Sequence, residues 1–88
     1  MAVDEIRIAA CVVSLESAAR SAGHAITPDL RVSESVAAEL LGIAAGTLRN
    51  WRSSTGNVPY HRIGGRFGRV TYKLIDLANV IEKSRTEF

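Results

Sequence analysis

Ser33-Glu34-Ser35-Val36-Ala37-Ala38-Glu39-Leu40-Leu41-Gly42-Ile43-Ala44-Ala45-Gly46-Thr47-Leu48-Arg49-Asn50-Trp51-Arg52 reads as two short helices separated by a turn at Gly42. Ser33 is a good N-cap, and Val32 before it can pack on Ala37 as a hydrophobic staple. Val36, Ala37, Leu40 and Leu41 supply one apolar face, Gly42 ends the helix, and Ile43 anchors the turn. The spacing predicts a second helix over residues 45–53 that buries Leu48 and Trp51. Gly46, Thr47, Arg49, Asn50 and Ser53 then face outward, with Arg52 at the margin.

Downstream, the period changes. Residues 58–63 and 69–72 are short extended runs, separated by Gly64-Gly65-Arg66-Phe67-Gly68. Glycines on both sides of that loop permit the turn geometry of a β-hairpin. A last helix is predicted over residues 74–85, with Leu77, Val80 and Ile81 at core spacing and Lys83 and Arg85 suited to its C-terminal dipole. Upstream, residues 4–22 form a helical pattern. Ile8, Val12, Leu15, Ala19 and Ala22 make its stripe, Ile6, Ala9 and Val13 widen it, Asp4 serves as N-cap and Gly23 follows its end. Residues 24–31, containing Pro28, read as a connector.

The chain has 88 residues, 47% hydrophobic and 23% charged, with net charge +2. One soluble globular fold with a modest core is expected, gaining stability from a partner. Cys11, the only cysteine, excludes an internal disulfide. The acidic start Met-Ala-Val-Asp-Glu differs from a secretory signal, and no apolar run has membrane-spanning length, so a cytoplasmic location without a membrane partner is expected. The charge distribution is more informative. Residues 40–75 contain no acid and six bases: Arg49, Arg52, Arg62, Arg66, Arg69 and Lys73. An acid-free cationic block in a near-neutral chain is the footprint of a polyanion-binding face.

These residue types fit one polyanion well. Arginine pairs bidentately with guanine O6 and N7, and asparagine with adenine N6 and N7, so Arg49 and Asn50 on a helix lodged in the major groove discriminate bases. Thr47 adds a hydroxyl, and Arg52 and Lys73 are phosphate-contact candidates. Arg62, Arg66 and Arg69 on a glycine-rich finger can reach phosphates or a narrow minor groove. Duplex DNA is therefore the expected partner, with helix and finger arginines converging on one side of the molecule. Phe67, an aromatic at a loop tip with no evident core, is a candidate wedge or partner contact. Trp51, Tyr60 and Tyr72 read as packing residues, and Cys11 as a small buried one. His24, His61 and Cys11 lack zinc-ligand spacing. The loop 64–69 lacks the Gly-Lys-Ser/Thr ending of a nucleotide-binding loop and precedes a strand. No catalytic constellation is apparent; neither an enzyme nor a cofactor is expected.

Ala37-Ala38-Glu39-Leu40-Leu41-Gly42-Ile43, Thr47-Leu48-Arg49-Asn50-Trp51, Pro59-Tyr60-His61-Arg62-Ile63-Gly64, Arg69-Val70-Thr71-Tyr72 and Asp76-Leu77 together resemble the MerR-like winged helix-turn-helix family. Within it they look most like excisionases, the recombination directionality factors of mobile genetic elements. The chain departs from that pattern at Ala44, Gly46 and Val36, where the family often has a capping Ser or Thr, a basic residue and a capping-box Glu. Its wing is also longer, through residues 65–68. The resemblance implies a mainly α fold with a small β-hairpin wing, here with an extra N-terminal helix. Residues 1–30 lie outside the resembling segment, and their apolar stripe alone suggests packing or self-association, with residues 31–88 serving DNA binding. The resemblance further implies architectural work without an active site, in which copies associate on DNA, bend it and bias an integrase toward excision. Small transcription regulators share the same pattern. A module that presents the basic finger to an acidic protein is a reading from another class.

Overall fold

The computed structural model describes residues 3–54 and 56–85. Helix α1 (Val3–Ser21) leads into strand β1 (Arg31–Ser33). Helices α2 (Glu34–Leu41) and α3 (Ala45–Ser54) follow, then strands β2 (His61–Ile63) and β3 (Arg69–Lys73), and helix α4 (Leu74–Lys83). The three strands form one antiparallel sheet in the order β1-β3-β2. The protein is thus α-rich, with four helices and a small sheet.

The helix boundaries follow local chemistry. Ser33 caps α2, its Oγ accepting from the Val36 amide at 3.3 Å, so one otherwise unpaired amide of the first turn is satisfied. At the other end Gly42 takes φ +76°. That left-handed conformation lets the Gly42 and Ile43 amides donate to the carbonyls of Glu39 and Ala38, closing the helix as a glycine C-cap does. Three residues later α3 begins. Ala44 offers no side-chain cap, and its carbonyl accepts from the Thr47 and Leu48 amides at 3.0 and 3.2 Å.

Strand β1 departs from the expected connector. Arg31, Val32 and Ser33 pair with Lys73, Tyr72 and Thr71, so the sheet extends one strand beyond a hairpin. The turn before it is closed by the Leu30 amide donating to the Thr27 carbonyl at 2.9 Å. Thr27 Oγ1 accepts from the Arg31 amide at 2.8 Å. The Leu30 carbonyl then accepts from the Leu74 amide, tying this turn to the start of α4.

Tyr72, Leu48, Leu74, Leu77 and Val32 are the largest fully buried side chains. Ala37 and Ala38 let α2 approach them closely. Helix α1 packs on α4 and contributes Leu15 and Ala19 to the interior, with Ile8, Cys11 and Val12 at its edge. The α1 stripe is narrower than its composition implies. Ile6, Ala9, Val13 and Ala22 lie outside it, Ile6 and Val13 being 52% and 66% exposed, because α1 rests against one neighbouring layer only. Asp4 sits inside the first turn rather than at the cap, since α1 begins at Val3.

Leu77 and Ile75 occupy opposite sides of α4, 0% and 51% exposed. Leu77→Ala should destabilise the protein by about 2–5 kcal/mol through lost burial and a residual cavity. Ile75→Ala should cost less than about 0.5 kcal/mol. Urea unfolding of both variants checks the pair, and equal losses would contradict the core described here.

Candidate nucleic-acid interface

The arrangement around α3 begins with a carboxylate on another helix. Glu34, in the first turn of α2, accepts from Arg52 Nε at 2.8 Å and Arg52 Nη2 at 3.1 Å. The Tyr72 hydroxyl of β3 donates to the same carboxylate at 2.8 Å. The Arg52 guanidinium also lies over the Tyr60 ring, 5.7 Å from its centroid, and Tyr60 packs on Tyr72 with ring centroids 6.3 Å apart. Three elements, and the segment that leads into β2, are therefore joined through one ion pair whose side chains are only 16% and 20% exposed. The hydrogen bonds from Arg52 hold the Glu34 carboxyl below its ordinary value. Burial, with the adjacent carboxylate, pushes the Tyr72 phenol well above its usual range.

Arg52 is therefore a strut, not a free cation. It is expected from sequence as a phosphate contact at the helix margin, but the Nε and Nη2 edge of its guanidinium faces Glu34. Its partner lies 18 residues upstream, outside any helical spacing. With Arg52 and Leu48 turned inward, the opposite side of α3 is open. Arg49, Asn50 and Ser53 are exposed there, with Gly46 beside them. Thr47 lies off the centre of this strip and is half-buried. Trp51 packs against the core. The Ser54 hydroxyl turns back onto the Asn50 carbonyl at 2.7 Å.

Strand register assigns the remaining bases. Residues directly paired across a ladder share a face, and faces alternate along each strand. Arg62 pairs with Val70 and Ile63 with Arg69, so Arg62 and Arg69 occupy opposite faces of the hairpin. Arg62 shares its face with Tyr72 and Val32, the side on which Tyr60 and Arg52 lie. Arg69 sits on the outer face, lining a hollow with Arg31, Ser33, Thr71 and Ala25 to Thr27. Lys73, paired with Arg31, lies near α1 beside Ala9, Val12 and Asp29. The expected convergence on one side therefore holds for α3 and Arg62 and fails for Arg69 and Lys73, because alternation puts odd-numbered β3 residues on the face opposite Arg62. Arg31 Nε donates to both carboxylate oxygens of Asp29, and its Nη1 donates to Thr71 Oγ1 at 2.9 Å.

Arg66 and Phe67 stand at the hairpin tip, both exposed. No protein-family model, curated protein or solved structure matches this chain.

The surface is thus a short helix with a polar outer strip, clamped by an internal ion pair, next to a glycine-rich basic finger. Among the described residues no group of three or more His, Cys, Asp or Glu is placed to hold a metal ion, and no helix is long and apolar enough to cross a membrane. The Cys11 thiol is pushed up by burial and then by Glu82, which disfavours the reactive thiolate.

The clamp carries a pH signature. A carboxyl lowered in the folded state stabilises the protein fully above its unfolded value, and that contribution disappears as pH falls through the folded value. For Glu34 the loss belongs below its ordinary 4.5. Glu34→Gln should lower stability by about 1–2 kcal/mol at neutral pH, and the difference from wild type should shrink as the medium is acidified past that value. Unfolding free energies measured across the acid range test this; parallel curves for the two proteins would exclude the clamp as their source.

Proposed function

We propose that this protein binds duplex DNA sequence-specifically as a winged helix-turn-helix of the MerR-like type. In this reading α2 and α3 form the helix-turn-helix, α3 is the recognition helix, and the β2–β3 hairpin is the wing. The observation that carries the reading is the open strip of α3 in an acid-free stretch, fixed in orientation by the Glu34–Arg52 ion pair. A major-groove helix needs small or hydrogen-bonding side chains outward and a rigid apolar attachment inward, and α3 has both.

Arg49 and Asn50 read base edges, with Thr47 at the rim of the contact. Arg62, Arg66 and Arg69 hold phosphates from the hairpin. Arg52 contributes indirectly: it neutralises Glu34, a carboxylate that would otherwise repel the backbone near the α2 N-terminus. Lys73 stands apart from this surface and takes no part. The likeness to excisionases extends the reading to its role. The protein acts architecturally, self-associating along an attachment site and bending it so that a separate integrase favours excision, without chemistry or a cofactor of its own.

Three exposed arginines on phosphates give a slope of log K against log salt of roughly −2.7. Fluorescence anisotropy with duplexes selected from a random pool measures it, and a slope near zero would sink the electrostatic reading. Asn50→Ala should relax preference at one base position, worth about 1–3 kcal/mol. Arg62→Ala should weaken all sequences alike, and Lys73→Ala should change neither. Repeating the selection with each variant distinguishes these roles. An excision reaction with and without the protein tests the architectural role.

A further inference from the structure

The hairpin tip carries an inference that rests on the duplex-DNA reading and specifies how the DNA would be deformed. Phe67 is 92% exposed and stands outside the hydrophobic cluster. Its surroundings are nevertheless shaped. The Gly68 amide donates to the Gly65 carbonyl at 2.9 Å, closing a four-residue turn with Arg66 and Phe67 at its two central positions. A β-carbon at Gly68 would lie 1.9 Å from the Ile63 carbonyl oxygen, so no other residue fits where the strands meet. Arg62 Nη1 donates to the Gly68 carbonyl at 3.1 Å and braces the same point. The Arg66 guanidinium lies 5.5 Å from the Phe67 ring centroid. A large apolar ring is thus held at the end of a thin projection with a cation beside it.

The split of Arg62 and Arg69 between the two faces of the ribbon has a direct meaning. A ribbon lying flat on a phosphate backbone needs its cations on one face. A ribbon standing tip-first in a groove meets a phosphate strand on each side and needs cations on both. The glycines at positions 64, 65 and 68 leave the tip with only two side chains, which keeps it narrow enough for a minor groove about 6 Å wide. An aromatic at the leading end then meets the edges of stacked base pairs, where apolar wedges unstack a step and kink the duplex.

We propose that the hairpin enters the minor groove and that Phe67 inserts between two stacked base pairs, with Arg62 and Arg69 on the facing phosphate strands. The paired aromatic and cation serve this placement because Arg66 remains beside the ring to meet the groove's negative potential.

The test uses wild type, Phe67→Ala and Phe67→Leu with a duplex of roughly 30 base pairs. The duplex has an A·T-rich centre, 2-aminopurine at successive central steps, and a donor–acceptor dye pair at its ends. Wild type should raise 2-aminopurine fluorescence at one step and shorten the end-to-end distance. Phe67→Leu should keep both effects, and Phe67→Ala should lose both while affinity falls no more than about ten-fold. All three proteins should unfold at the same temperature, since the ring supports nothing within the fold. Binding by wild type without unstacking, or an unchanged kink in Phe67→Ala, overturns the wedge and leaves DNA binding intact. No binding by wild type, here or to the random pool, overturns both readings.

Discussion

The Glu34 carboxylate holds the molecule's layers in a fixed relation. It stands on α2, receives Arg52 from α3 and Tyr72 from β3, and thereby ties the three elements together with three hydrogen bonds. Burying a charge carries a desolvation cost that only a well-oriented partner offsets. The bidentate fork of Arg52 is such a partner, and the tyrosine hydroxyl satisfies a further lone pair. Hydrophobic burial is non-directional, so burying Leu48 brings α3 against the core with less control of its rotation. A charged fork is directional. The outward strip of α3 owes its aim to a contact on the helix's opposite side.

The sheet completes this arrangement. Tyr72 buries its ring while sending its hydroxyl to Glu34, and Val32 and Tyr60 flank it on either side. The strand that supplies Tyr72 continues directly into α4 at Leu74, so the hairpin is fastened to the interior at one end and free at the other. Rigidity at the base and projection at the tip follow from the same five residues of β3. Alternation along them puts Val70 and Tyr72 on one face and Arg69, Thr71 and Lys73 on the other.

Much of this was legible in the sequence because it depends on near neighbours. Ser33 and Gly42 bound α2 through contacts three to five residues long, and Leu48 and Trp51 mark the inner face of α3 by spacing alone. The hairpin was visible from its glycines. What escaped depends on distant partners. A three-residue strand has no period of its own, and β1 exists only because β3, some forty positions later, supplies its ladder. In sequence Arg52 resembles any exposed cation, because its partner Glu34 stands 18 residues upstream. The outward placement of Ile6 and Val13 was hidden for a similar reason: an apolar stripe shows what is available for burial, whereas the neighbouring layer decides how much is covered. Arg69 and Lys73 were legible as basic residues, but their side of the ribbon required the register.

The sheet order has a consequence for how the chain assembles. Strands β1 and β3 enclose between them both helices of the α2–α3 pair and the whole of β2. Closing that loop costs entropy before its contacts repay it. The ladder and the helix pair it brackets therefore gain stability together, and a fragment limited to the two helices lacks the tyrosine and valine against which they rest. Cutting the chain down to the α2–α3 segment would discard the scaffold that makes that segment a structure.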